Sequence, residues 1–179
     1  MIAQFEVYGS PAPQGSKSPY VGRDGKAHLL EGSSETGRQK FKDWREDVKQ
    51  AAEAWMLQHR VFEPVGVPVH LYLVFRFQRP ASYPKRKTKY GALRRVLWGS
   101  HYVEWHGVKP DLDKLVRLAK DSLTSAGLYR DDALVCGVIA FKVFGENCRP
   151  GVTIGLRIPV EPDEFSFPFH AKEHHGITS

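Results

Sequence analysis

The stretch Lys109-Pro110-Asp111-Leu112-Asp113-Lys114-Leu115-Val116-Arg117, followed by Lys120-Asp121 and then Tyr129-Arg130-Asp131-Asp132, holds the residue types that phosphodiester hydrolysis needs. If the pair Asp111 and Asp113 converges with the pair Asp131-Asp132, two carboxylates at about 4 Å repel by roughly 4 kcal/mol at an effective dielectric near 20, a cost that calls for a cation. Carboxylate oxygens without histidine or thiolate favour hard ions, which makes Mg2+ or Mn2+ the expected cofactor; no organic cofactor is called for. Such an ion lowers the pKa of a bound water to make a nucleophile and stabilises charge on the phosphoryl oxygens and the leaving group. Arg117 and Lys120 are candidates to meet the scissile phosphate. Asp111 and Asp113 also suit a plain structural role, because Asp at a helix start is a favoured cap and acids in the first turn complement the helix dipole. The second acidic pair, Asp131-Asp132, shifts the balance toward chemistry if the fold brings both pairs together.

The elements that must position these groups show in the sequence as periodicities. Residues 110–126 read as a helix with Gly127 as its C-terminal cap. At about 100° per residue, Leu112, Leu115, Val116, Ala119, Leu123 and Ala126 share a core face. Asp113, Lys114, Arg117, Lys120, Asp121 and Thr124 share an ionic face, with Arg117 one turn after Asp113. Residues 33–59 place Phe41, Trp44, Val48, Ala51, Ala52 and Trp55 at three- and four-residue steps, which predicts the longest helix. Residues 67–78 alternate Val67, Val69, Leu71, Leu73, Phe75 and Phe77 with Pro68, His70, Tyr72, Val74, Arg76 and Gln78, the pattern of a central strand with one buried face. Residues 2–8 read as a first strand and 19–30 as a short hairpin. Residues 135–144 and 152–159 read as two β runs joined through Gly145-Glu146-Asn147, a hairpin if the two runs pair. The fold class is therefore α+β: a small mixed β-sheet packed with two main helices, in a single domain over residues 1–160 with an extended tail at 161–179.

From Arg76 to Arg95 the chain carries Arg76, Arg79, Lys85, Arg86, Lys87, Lys89, Arg94 and Arg95 and no acid. An even spread would give roughly three cations in twenty residues. Tyr83, Tyr90, Trp98, Tyr102 and Trp105 interleave or follow, so residues 79–108 read as a basic insertion suited to phosphate contact and base stacking. Candidate DNA contacts are Arg79, Lys85, Arg86, Lys87, Lys89, Arg94 and Arg95, with Lys109, Lys114 and Lys120 nearer the acids. A solvated basic loop is the bland alternative. The whole chain, with 26 Lys+Arg against 20 Asp+Glu, carries a formal net charge of +6, which suits a polyanionic partner. No apolar run approaches the roughly 18–20 residues that cross a bilayer, and the first residues lack a signal-peptide pattern, so a cytoplasmic protein without membrane contact is predicted. Cys136 and Cys148 are too few for a disulfide framework or a four-cysteine zinc site, and read as reduced thiols. His101 and His106 have no Cys or carboxylate at zinc-ligand spacing, which leaves them structural or DNA-contacting.

Pro110-Asp111-Leu112-Asp113-Lys114-Leu115, the helix with Arg117 and Asp121, then Ala126-Gly127 and Asp131-Asp132-Ala133, resemble the signature of the RusA family of crossover junction endodeoxyribonucleases. The likeness is dense over residues 109–135 and looser, in element order, over 2–159. The resemblance implies a small mixed α/β fold, a homodimer, a need for Mg2+ or Mn2+, and resolution of four-way (Holliday) DNA junctions by paired symmetric nicks. It also implies a bacterial or phage-infected host cytoplasm, the family being common in phages and prophages. Carried over by position, the essential acids are Asp111, Asp113 and Asp132, with Asp131 adjacent. The family's lysine four residues after the second acid is Arg117 here, and its usual asparagine directly after that acid is Lys114. Arginine does not release a proton near neutral pH, so Arg117 is expected to act by charge alone. A two-fold symmetric substrate calls for two sites, hence the homodimer. Two rival classes are a non-catalytic DNA-binding or packaging accessory, in which the acids only cap a helix and balance the basic face, and a metal-dependent phosphohydrolase acting on other nucleic acid.

Overall fold

Strand β4 (Val69–Gln78) organises the molecule. Its period-two alternation buries Leu71, Leu73 and Phe75 completely on one face, as the sequence pattern predicts, while Val67 lies before the strand and is exposed. In the computed structural model the described residues are 2–14, 17–31, 35–79, 95–98, 101–145 and 149–159. Around β4 they form β1 (Ala3–Tyr8), a separate hairpin of β2 (Lys17–Val21) and β3 (Ala27–Glu31), α1 (Glu35–Gln58), β5 (Arg95–Trp98), β6 (His101–Trp105), α2 (Leu112–Ser125), a 3-10 turn (Asp132–Leu134), β7 (Val135–Gly145) and β8 (Gly151–Arg157). The main sheet has six strands in the order β1-β8-β4-β7-β6-β5, and β4 runs parallel to β7 but antiparallel to β8. The α+β class with a mixed sheet and two main helices holds.

The last two β runs do not pair as a hairpin, because β4 lies between β7 and β8 and pairs with both. A β7–β8 hairpin would leave the long buried β4 with an unpaired edge, and buried N–H and C=O groups without partners are costly. Residues 79–108, read as a basic insertion, include β5 and β6, which extend the sheet, with β6 antiparallel to β7 from Val103↔Gly145 to Trp105↔Val143. The central basic run, the 146–148 connection, Cys148 and the predicted tail lie outside the described residues.

Both helices pack on one face of the sheet. Trp44, Val48 and Ala52 of α1 and Leu115, Leu118, Ala119 and Leu123 of α2 join Leu71, Leu73, Phe75, Val152, Ile154 and Leu156 in one core. Each fully buried leucine contributes about 2 kcal/mol. The buried stripe of α2 is turned slightly from the predicted one. Leu118 and Ser122 are inside, and Leu112, Val116 and Ala126 are half-buried. The Ser122 hydroxyl donates to the Leu118 carbonyl at 2.7 Å, so the polar atom there is satisfied. On the opposite face Arg76, also buried, is held by Glu6, Thr153 and the Arg149 carbonyl, which removes it from the pool of free cations. Among the described residues, no helix is long and apolar enough to cross a membrane.

Candidate active site

Helix α2 starts at Asp111, whose extended backbone (φ −70°, ψ 139°) is that of an N-cap and whose carbonyl accepts from the Leu115 N–H at 3.3 Å. Its carboxylate makes no cap hydrogen bond. It lies instead 3.2 Å from the Lys114 ammonium, half open to solvent. Asp113, in the first turn, and Arg117, one turn later, are both exposed, and neither has an ion pair among the described residues. The segment before β2 lies alongside, since the Gln14 N–H donates to the Lys114 carbonyl at 3.2 Å.

At the far end of α2 the chain reverses through Gly127, which takes φ +78°, a conformation glycine adopts without steric cost. Tyr129 then enters the core with 1% exposure and donates its hydroxyl to the Lys120 carbonyl at 3.0 Å. Burial raises its pKa, and the Asp132 and Asp121 carboxylates push the same way, so it stays a protonated donor. Next, Asp131 caps the 3-10 turn by accepting from the Ala133 N–H at 2.7 Å. Asp132 projects to Lys120, with 3.4 Å between carboxylate and ammonium.

All three predicted acids therefore lie along one flank of α2, but they are not gathered. Lys120 follows Asp113 by seven residues, about 10 Å of helical rise, although helical side chains lean back toward the N-terminus and shorten that gap. Among the described residues no group of three or more His, Cys, Asp or Glu side chains stands close enough to hold a metal ion. The donor chemistry nevertheless suits a hard cation, since Asp111, Asp113 and Asp132 supply carboxylates that make no backbone hydrogen bond. The lysines hold Asp111 and Asp132 only weakly, because part-exposed ion pairs contribute about 0–1 kcal/mol.

Residues 11–157, spanning β4, α2 and both acidic pairs, match the family described as Endodeoxyribonuclease RusA. The chain belongs to the RusA endodeoxyribonuclease family. No curated protein matches it. The family places the chain among endonucleases of Holliday junctions and other branched DNA.

Against that RusA assignment, the predicted residues separate. Asp131 caps the 3-10 turn with one carboxylate oxygen. Arg79 is paired with Glu104 and lies over the Phe144 ring. Lys109 is exposed beside the acids, and Lys114 and Lys120 flank them. Arg95 lies in β5, and Lys85, Arg86, Lys87, Lys89 and Arg94 lie outside the described residues. His101 lies in β6. His106 is structural: 6% exposed, its ring sits 4.3 Å from both Phe77 and Phe144, and burial followed by the Lys142 charge lowers its pKa.

Two positions escaped sequence reasoning. Tyr129 anchors the second acidic pair to α2, and its only signal was an aromatic residue beside Leu128 in the turn after the helix. Lys142, on β7, donates to the carbonyls of Val108 (2.8 Å) and Pro110 (2.5 Å), in the loop that leads to Asp111. Nothing in its strand pattern marked it.

Proposed function

We propose that this RusA-family endonuclease resolves four-way DNA junctions as a homodimer by paired symmetric nicks, using Mg2+ or Mn2+ held by Asp111, Asp113 and Asp132. The observation that carries this reading is Asp111, a helix-capping residue whose carboxylate does not cap, next to Asp113, which has no partner among the described residues. Unpaired or loosely paired acids on a basic chain that acts on a polyanion need a purpose, and cation binding supplies one. When bound, the cation supplies an activated water and charge stabilisation at the phosphoryl oxygens.

The chain's own residues do the rest. Arg117 offers a guanidinium fork to the non-bridging oxygens of the scissile phosphate and acts by charge alone. Lys114 and Lys120, released from Asp111 and Asp132, meet neighbouring backbone phosphates, together with Lys109 and the basic residues 85–95. Two copies present two such sites to the two-fold symmetric junction.

A labelled four-way junction incubated with the protein, in Mg2+ or in chelator, tests the reading. Paired cuts in Mg2+ and binding without cutting in chelator are expected. Binding in both conditions and cutting in neither would make the protein an accessory.

A further inference from the structure

The two carboxylates at the start of α2 depend on how the preceding loop is held. That loop leaves β6 at Trp105, and Gly107, Val108 and Lys109 are exposed. Among the described residues, a single residue of the sheet anchors it. The Lys142 carbonyl accepts from the His106 N–H at 3.0 Å, and the Lys142 ammonium donates to the carbonyls of Val108 and Pro110. One side chain thus grips the segment at both ends of an exposed turn. The second of its acceptors belongs to the peptide bond that leads directly into Asp111.

We infer that Lys142 is a positioning residue for catalysis: by tying the Val108 and Pro110 carbonyls to β7, it fixes the backbone from which Asp111 and Asp113 project. The inference rests on the reading that these two acids act in cutting. An ammonium suits the task because it carries three donors and no acceptor, so it can bind two converging carbonyls at once, with a strength that neutral donors do not match. The start of the loop is fixed as well, since the His106 ring packs between Phe77 and Phe144. Without the ammonium the two carbonyls turn to water, the loop samples other directions, and Asp111 loses its fixed start. Residues that orient ligands from behind in this way typically affect metal affinity or activity by about 10- to 100-fold.

The experiment compares wild type, Lys142→Met, Lys142→Arg and Asp111→Asn. Three quantities are read: Mn2+ binding by electron paramagnetic resonance without DNA, single-turnover cutting of a four-way junction, and junction binding in chelator. Lys142→Met should weaken Mn2+ binding about tenfold and slow cutting by about 10- to 100-fold, with junction binding within about twofold of wild type. Lys142→Arg, which still donates to two carbonyls, should recover most of both losses. A general structural defect would instead lower junction binding and would not be selectively rescued. If Lys142→Met does not fold, Lys142→Gln, which keeps one carbonyl partner, carries the same comparison. Wild-type Mn2+ binding and cutting in Lys142→Met, alongside a dead Asp111→Asn, overturn the positioning role and leave the active-site reading standing. Full cutting by Asp111→Asn overturns both.

Discussion

Asp111 and Asp131 occupy equivalent backbone positions, each extended and each directly before a helical turn, yet they do different things. Asp131 caps its 3-10 turn through the Ala133 N–H, whereas the Asp111 carboxylate makes no cap hydrogen bond and, among the described residues, meets only Lys114. A capping residue that does not cap forgoes about 1 kcal/mol, and a fold keeps such a loss where the group has another task. Residue type and position alone do not distinguish the two aspartates. The hydrogen bond does: one carboxylate serves the backbone and the other does not.

The contrast predicts opposite phenotypes for the same substitution. Asp111→Ala should slow junction cutting about 1000-fold, some 4 kcal/mol in the barrier, while leaving stability within about 0.5 kcal/mol in denaturant unfolding. Asp131→Ala should do the reverse, losing about 1 kcal/mol of stability and keeping cutting within about threefold. Matching phenotypes would erase the distinction. At the next level, Arg117→Gln should cut about 100-fold more slowly and Arg117→Lys within about tenfold of wild type in single-turnover assays. Equal rates in Arg117→Gln and wild type would remove Arg117 from the site.

Smaller effects sharpen the picture of how each acidic pair is held. Tyr129→Phe removes the hydrogen bond to the Lys120 carbonyl and should cost about 1 kcal/mol in denaturant unfolding. His106 tests the other end through pH. Burial lowers its folded-state pKa below the ordinary 6.5, so the unfolded chain binds the extra proton first as pH falls. Its contribution is therefore complete above about pH 6.5 and is lost as pH drops toward the folded value. The Tm should fall between pH 7.5 and 5.5, and less steeply in His106→Phe. An unchanged slope would mean that other groups set the acid limb.

Much of this was readable from spacing. The period-two run of β4 and the three-to-four steps of Trp44, Val48 and Ala52 report burial directly, since a side chain's face follows from its index in a regular element. The placing of Asp113 and Arg117 on one helix face was legible for the same reason. Strand neighbours were not. Whether β7 pairs with β8 or with β4 depends on which edge would otherwise go unpaired, a property of the whole sheet. Strands β5 and β6 were obscured because the charge of the preceding stretch dominates its composition while the ladder to β7 is formed by backbone atoms. Lys142 was invisible for a further reason: its partners are carbonyls, which every residue carries.

Direct measurement of Mn2+ binding by electron paramagnetic resonance, for wild type, Asp113→Asn and Asp132→Asn, goes to the centre of the account. If the two ends of α2 close on one cation, each substitution alone weakens binding by about tenfold or more. Wild-type affinity in Asp132→Asn, with binding lost in Asp113→Asn, would show that Asp132 belongs to Lys120 and not to the metal.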